Sequence, residues 1–194
     1  MDSISSKVFL EPSTKLFPIP TVMVSCCTSD QKHNNIITLA WVGTVSSEPP
    51  MVSISVRKSR YSYGLLMETK DFVINIPDES QVAKMDWCGV KSGRDHDKFT
   101  KCGLTPARAS KVKSPIILEC PVNLECKVRH IVQDISRSHD IFLAEIVSVD
   151  VNKEFVDFSD PAKMNPIAYC NGKYYSVGKM IGKPGIWKHM EEVI

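Results

Sequence analysis

Residues 52–66 read VSISVRKSRYSYGLL. Through Val52, Ile54 and Val56 the apolar residues alternate with Ser53 and Ser55, the period of a strand with one face on a core. From Tyr63 the period changes, with Leu66 and Met67 three and four residues on, the spacing of one helix face. Ser59 or Ser62 is the expected N-cap of that helix. Between the two elements lies a basic junction, Arg57, Lys58, Ser59 and Arg60. The same alternation returns in Val122-Asn123-Leu124-Glu125-Cys126-Lys127-Val128. Strands polar on one face and apolar on the other belong to an antiparallel sheet wrapped about a core.

Further strands are expected over residues 21–28, 36–46, 72–76, 141–151 and 167–177, all rich in β-branched or aromatic side chains. Asp30 to Asn35 is a polar connection, and Pro49-Pro50 punctuates the chain before Val52. Seven strands with turn signals between them predict a mainly β fold, a meander or β-barrel with short helices. Asp78 or Ser80 is suited to cap a second helix that buries Val82, Met85 and Cys88. Residues 89–116 lose all periodicity and predict a long irregular crossing with a helical turn near Phe99. A segment of that length in a compact domain usually serves as a binding loop or lid. No repeat or linker divides the chain, so 1–194 is read as one domain with its core over about 17–185.

With Lys+Arg 24 against Asp+Glu 22 the formal charge is +2. Proteins that neutralise many phosphates carry a larger basic excess, so neither nucleic acid nor membrane is an expected partner. Apolar residues at 43% supply a full core without structural metal or disulfide. The seven cysteines form no C-x-x-C pair. Cys120 and Cys126 read as core thiols, and their spacing to His130 is too long for a compact metal clip. The start MDSISSKVFLEPSTK lacks the basic-then-apolar pattern of a secretory signal, and no apolar run approaches bilayer length. A cytoplasmic protein with reduced thiols is expected.

No dinucleotide, P-loop, nucleophile-elbow or zinc-protease motif occurs. His96 and His139 stand beside aspartates, and His33 and His189 look exposed; each is either a general base or an ordinary surface histidine. The basic junction is different in kind. A helix start presents unpaired N–H groups and a partial positive charge, so Arg57, Lys58, Ser59, Arg60, Tyr61 and Ser62 form either an anion site or a solvated turn. A second segment, Cys88-Gly89 through Lys98, sets Lys91, Ser92, Gly93, Arg94 and Lys98 together, with glycines that let amides approach an anion. It is either another phosphate-competent loop or one whose charges pair internally, Arg94 with Asp95 or Asp97. A third segment, residues 34–50, offers Asn35, Thr38, Leu39, Ala40 and Trp41 along a strand that could present amides to a flat ligand.

In this order the segments resemble the flavin reductase-like family, whose fold is an FMN-binding split barrel, and most closely its flavoredoxin-like branch. The matching residues are Asn34-Asn35, Thr38 to Trp41, Ser47 to Val52, Arg57 to Ser62, Phe72 to Asn75, Trp87-Cys88-Gly89, Ser92-Gly93-Arg94, Asp97-Lys98-Phe99, Cys126, Ser138-His139-Asp140 and the tail from Tyr169 to Gly182. The resemblance implies non-covalent FMN in a homodimer, with NAD(P)H as a transient donor of hydride to flavin N5. It implies main-chain contacts from Thr38 to Trp41 along the flavin ring and a phosphate held by Arg57, Ser59, Arg60 and Ser62. The Cys88-Gly89 and Ser92-Gly93-Arg94 loop would close over the cofactor. Electrons would pass to free flavin or another acceptor, such as an electron-transfer protein or a flavin-dependent partner enzyme. The alternatives are an FMN-containing electron carrier reduced by a partner protein and a cofactor-free β-barrel. No catalytic side chain and no metal ligand is implied. The bulky run Gln31-Lys32-His33 departs from the family pattern.

Overall fold

The computed structural model describes residues 7–158 and 160–184. His189 and both ends of the expected domain lie outside them. In chain order the first strands are β1 (Ile19–Pro20), β2 (Val22–Cys27), β3 (Asn34–Leu39), β4 (Val42–Ser47) and β5 (Pro50–Arg57). Helix α1 (Tyr61–Thr69), strand β6 (Asp71–Ile76), and helices α2 (Val82–Val90) and α3 (Lys98–Cys102) follow. Two short strands, β7 (Pro106–Ala107) and β8 (Ile116–Ile117), pair with each other. The chain continues through β9 (Val122–Val132), β10 (His139–Val151), β11 (Ile167–Cys170) and β12 (Lys173–Ser176). Among the described residues no helix is long and apolar enough to cross a membrane.

Seven strands form one antiparallel sheet in the order β3-β2-β6-β9-β10-β5-β4. β3 and β4 stand at opposite ends of that order, yet only Ala40 and Trp41 separate them in sequence. An extended chain advances roughly 3.3–3.6 Å per residue, so Leu39 and Val42 are at most about 11 Å apart. The two ends of the sheet must therefore come round to meet, which makes it a barrel. Ser55 N donates to the Trp41 carbonyl at 3.0 Å and ties the link to β5.

This crossing corrects the expectation of one strand over 36–46: the segment is two strands that belong to opposite ends of the sheet. The strand expected over 167–177 is likewise a hairpin. Its turn is Asn171-Gly172, with φ of 47° and 84°, and Cys170 pairs with Lys173 across it. Positive φ at both central residues is the type I′ geometry for which Asn-Gly is favoured. The expected cap at Asp78 is present but starts a 3-10 turn, Glu79–Gln81, that leads into α2: its carboxylate accepts from Ser80 N at 2.8 Å while Gln81 Oε1 accepts from Asp78 N at 3.1 Å, and α2 itself has no side-chain cap. The first does not begin at a serine. Its N-cap is Arg60, and no side chain caps it.

The alternation in β5 is realised residue by residue. Val52, Ile54 and Val56 are buried in the barrel with Val24, Leu66, Phe72 and Phe142, while Ser53 and Ser55 are only partly covered. A second apolar cluster outside the barrel joins Met23 and Ile36 to Met85, Cys88, Phe99, Ile117 and Cys120. Cys120 and Cys126 are core thiols, and His130 is exposed. On β9 the polar residues Asn123 and Glu125 are also buried, because the crossing between β7 and β8 lies over that part of the face, while Lys127 stays exposed. Glu125, fully buried, accepts from Ser110 N at 2.7 Å, Ser110 Oγ at 2.8 Å and Lys111 N at 2.6 Å. Those bonds give the crossing the fixed backbone that its composition did not predict.

The burial pattern on β5 and β4 sets a test. Ile54→Ala should cost about 2–5 kcal/mol of unfolding free energy in urea melts, the usual range for emptying a packed core site. Val45→Ala, on an exposed β4 position, should stay within about 0.5 kcal/mol of wild type.

Candidate functional site

The start of α1, the strand β3 and the loop between α2 and α3 enclose a cavity of about 160 Å3. Its walls are Asn35 and Ile37 on β3, Ser59 to Ser62 at the helix start, and Gly89, Lys91, Ser92, Gly93, Arg94 and Lys98. Ser62 cannot cap the helix because it faces inward, where its hydroxyl accepts from Asn35 Nδ2 at 2.7 Å. With no side-chain cap and no acid in the first turn, the positive end of the helix is left for an anion.

Lys98 is the strongest indication of what fits there. It is 3% exposed, and its ammonium donates to the carbonyls of Ile36 at 2.7 Å and Cys88 at 2.6 Å. An ammonium carries three N–H donors, so one remains for the cavity. Burial pushes the Lys98 pKa below the ordinary lysine value, and the Arg60 guanidinium adds to the effect. Among the described residues no carboxylate forms an ion pair with Lys98, Lys91, Arg57, Arg60 or Arg94. A desolvated cation without a counter-charge is costly, and an anionic ligand would offset that cost.

Gly93 lets the loop reach this position. A Cβ there would sit 2.1 Å from Asn35 Oδ1 and 2.8 Å from Tyr61 Cδ1. Gly89 is similarly close, with a Cβ position 3.0 Å from that of Thr38. The alternative reading, a loop whose charges pair internally, Arg94 with Asp95 or Asp97, is not what holds the loop. Arg94 Nη1 donates to the Ser59 carbonyl at 3.2 Å and the guanidinium lies 5.7 Å from the Tyr61 ring centre. Asp97 instead caps α3, accepting from Thr100 N at 3.2 Å and Thr100 Oγ1 at 2.6 Å.

Ile37 and Arg60 also border a second, more open cavity of about 230 Å3, so the two form one groove. This part is lined by Thr38, Leu39, Ala40, Trp41, Ser55, Arg57, His139 and Tyr169. Thr38 Oγ1 donates to the Met85 carbonyl, which spends its hydroxyl on holding α2. The Trp41 and His139 rings are 4.6 Å apart, inclined at 43°. Burial lowers the His139 pKa, with Arg57 and Arg60 adding to the shift, so the site favours the uncharged imidazole. Its Nδ1 shares a hydrogen bond with Ser138 Oγ at 2.8 Å.

The structure thus brings Asn35, Thr38 to Trp41, Arg57, Ser59 to Ser62, Gly89, Ser92 to Arg94 and Lys98 to one groove. Two expected members point elsewhere. Lys58 is held by Asp134 at 2.8 Å and Asp140 at 3.5 Å, two carboxylates that the sequence leaves remote. Cys88 turns its side chain into the core with its sulfur 3.6 Å from that of Cys102. Ile37 and Ser55 enter the groove through strand alternation, His139 and Tyr169 through pairing with distant strands. Lys32 and His33, from the divergent run, line a neighbouring cavity behind Tyr61 and Gly93.

This fold has known counterparts. Residues 14–178 match the flavin reductase like domain, and the chain belongs to that family. The flavoredoxin of Desulfovibrio vulgaris (Miyazaki F) is 32% identical, with a TM-score of 0.84 over 93% of this chain and 98% of its own. The flavoredoxin from Methanosarcina acetivorans is 27% identical, with a TM-score of 0.83 over 95% of this chain and 100% of its own. An uncharacterized protein of Archaeoglobus fulgidus is 32% identical over 73% of this chain and 77% of its length. The architecture is the split barrel of flavin reductase-like proteins.

Two glycines separate close approach from mere flexibility. Gly93→Ala must displace Asn35 or Tyr61 and should destabilise the protein by about 1–3 kcal/mol, as overpacking does. Gly64→Ala, inside α1 with nothing within 4 Å of its Cβ position, should stabilise it by about 0.5–1 kcal/mol. Equilibrium urea unfolding of both variants checks the pair.

Proposed function

We propose that this chain is an FMN-dependent oxidoreductase that holds the cofactor without a covalent bond, as a cytoplasmic homodimer. The buried, unpaired ammonium of Lys98 beside an uncapped helix start carries the reading, because that donor set suits a dianionic phosphate. When bound, FMN supplies the redox chemistry, accepting hydride from NAD(P)H at N5 and passing electrons to free flavin or another acceptor. Arg60 and Arg94 would flank the phosphate, with Ser59 and Ser62 adding hydroxyls. The backbone from Thr38 to Trp41 would run along the ring in the open part of the groove. Trp41 and His139 would wall the far end and exclude water. Arg57, beside His139 at that end, would be suited to a negative charge on the ring or on an incoming nucleotide. The likeness to the flavoredoxin structures favours one second reading, an FMN-containing electron carrier reduced by a partner protein without NAD(P)H activity of its own.

Anaerobic addition of NADPH or NADH to the FMN-reconstituted protein separates the readings. Prompt bleaching of the flavin absorbance is the expected result; sluggish bleaching with fast reduction by a small iron–sulfur protein would make it the carrier, and a protein that takes up no flavin would overturn both.

The phosphate assignment has its own signature. Lys98→Met should weaken FMN binding by about 1.5–3 kcal/mol, the range for a charge-assisted contact, and leave riboflavin, which lacks the phosphate, nearly unaffected. Arg60→Ala should likewise weaken FMN by about 1.5–3 kcal/mol, while Arg57→Ala, at the far end of the groove, should weaken FMN and riboflavin alike. An anion raises the depressed Lys98 pKa, so binding is linked to protonation: FMN affinity is full below the free-state pKa and falls as pH rises toward the ordinary lysine range, about 10.4. Fluorescence titrations across that window should show the slope in wild type and its loss in Lys98→Met.

A further inference from the structure

Cys88 closes the last turn of α2, Cys102 ends α3, and the loop between them carries Gly89, Lys91, Ser92, Gly93 and Arg94 into the groove. Both thiols are free, and their sulfurs are 3.6 Å apart, in contact. A disulfide requires about 2.0 Å, so the two sulfurs need to close by about 1.6 Å from their 3.6 Å separation. Among the described residues this is the one hydrogen-bonded pair of thiols. The remaining cysteines touch backbone carbonyls, Ser62, Ser114 or Gln81 where their sulfur contacts are given. The pair is also mechanically joined to the groove: the Cys88 carbonyl accepts from Lys98, one helical turn before Cys102 on α3.

We propose that Cys88 and Cys102 form a reversible disulfide that fastens the 89–97 loop over the anion-binding groove. The oxidant by class is a small-molecule disulfide. Cys102, half-buried where Cys88 is fully buried, reacts first: its thiolate attacks one sulfur of the reagent, forms a mixed disulfide and expels one thiolate. Cys88 then gives up its proton and attacks the Cys102 sulfur, expelling the second thiolate. Two protein thiols and one disulfide become one protein disulfide and two small thiols. Burial pushes the Cys88 thiol up to about 12, which makes the second step the slow one and keeps the pair reduced until an oxidant reaches Cys102. Once closed, the ring removes the open conformations of the loop.

The consequence for a bound cofactor rests on the FMN reading; the cross-link and its effect on the loop do not. Full-length protein is incubated with oxidised glutathione and examined by peptide mapping and by amide hydrogen exchange, with and without FMN. A Cys88–Cys102 cross-linked peptide, exchange across residues 89–97 slowed at least several-fold, and reversal of both by dithiothreitol are the expected results. Cys102→Ser should show neither change, while Cys170→Ser behaves as wild type. Where FMN binds, its dissociation should slow several-fold on oxidation. Absence of the cross-link, or a cross-link that leaves loop exchange unaltered, overturns the proposal. A cross-link with slowed exchange in a protein that takes up no FMN upholds it and overturns the cofactor reading instead.

Discussion

Ala40 and Trp41 carry the chain from one end of a seven-stranded sheet to the other, and that short link constrains everything around it. Two residues cannot bridge an open sheet of this width, so β3 and β4 are drawn together and the sheet closes on the apolar faces of β2, β5, β6 and β10. The meeting is incomplete, because the backbone at the link turns from one edge toward the other. The open part of the groove lies along that seam, from Thr38 to Trp41, with Ser55 and Arg57 beside it. The closure that makes the core therefore also makes the cleft.

The electrostatics of the groove run against folding stability. Arg57, Arg60, Arg94, Lys91 and Lys98 converge without a carboxylate in ion-pair reach among the described residues, and one of them is buried. Nearby acids are engaged elsewhere: Asp97 on the start of α3, Asp134 and Asp140 on Lys58. Such an arrangement is offset elsewhere in the fold, by the apolar core and by fully bonded polar clusters. One joins Asn75 to Ser25, Met23, Ile117 and Asn123. Stability comes from one set of residues and the capacity to hold an anion from another, as in sites whose groups are arranged for a ligand.

Local periodicity made much of the fold legible. The alternation in 52–56 and the Asp78 cap appear where the sequence puts them, because each depends on neighbours within a few residues. The crossing at Ala40-Trp41 was not legible, since β-branched residues continue on both sides and only pairing with distant strands reveals the break. The Asn171-Gly172 turn had a readable signal, the favoured type I′ dipeptide, in a segment otherwise rich in strand formers. In the site, the basic junction and the glycine loop could be found from residue type. The diversion of Lys58 to Asp134 and Asp140 could not, because it spans 76 residues or more of chain. Nor could the inward turn of Ser62, which depends on Asn35 being opposite it.

The position of β10 has a bearing on how the chain assembles as it is made. In the sheet order, β10 alone lies between the group β3-β2-β6-β9 and the pair β5-β4. Until residues 139–151 are available, β5 has no strand neighbour on its inner side, and no strand pairing joins the two groups. A ribosome that has released only the N-terminal two-thirds holds two partial ribbons whose apolar faces lack their common partner. Sealing the interior is consequently a late event in synthesis, dependent on contacts between segments some 85 residues apart, Ile54 with Phe142 and Val56 with Asp140 among them.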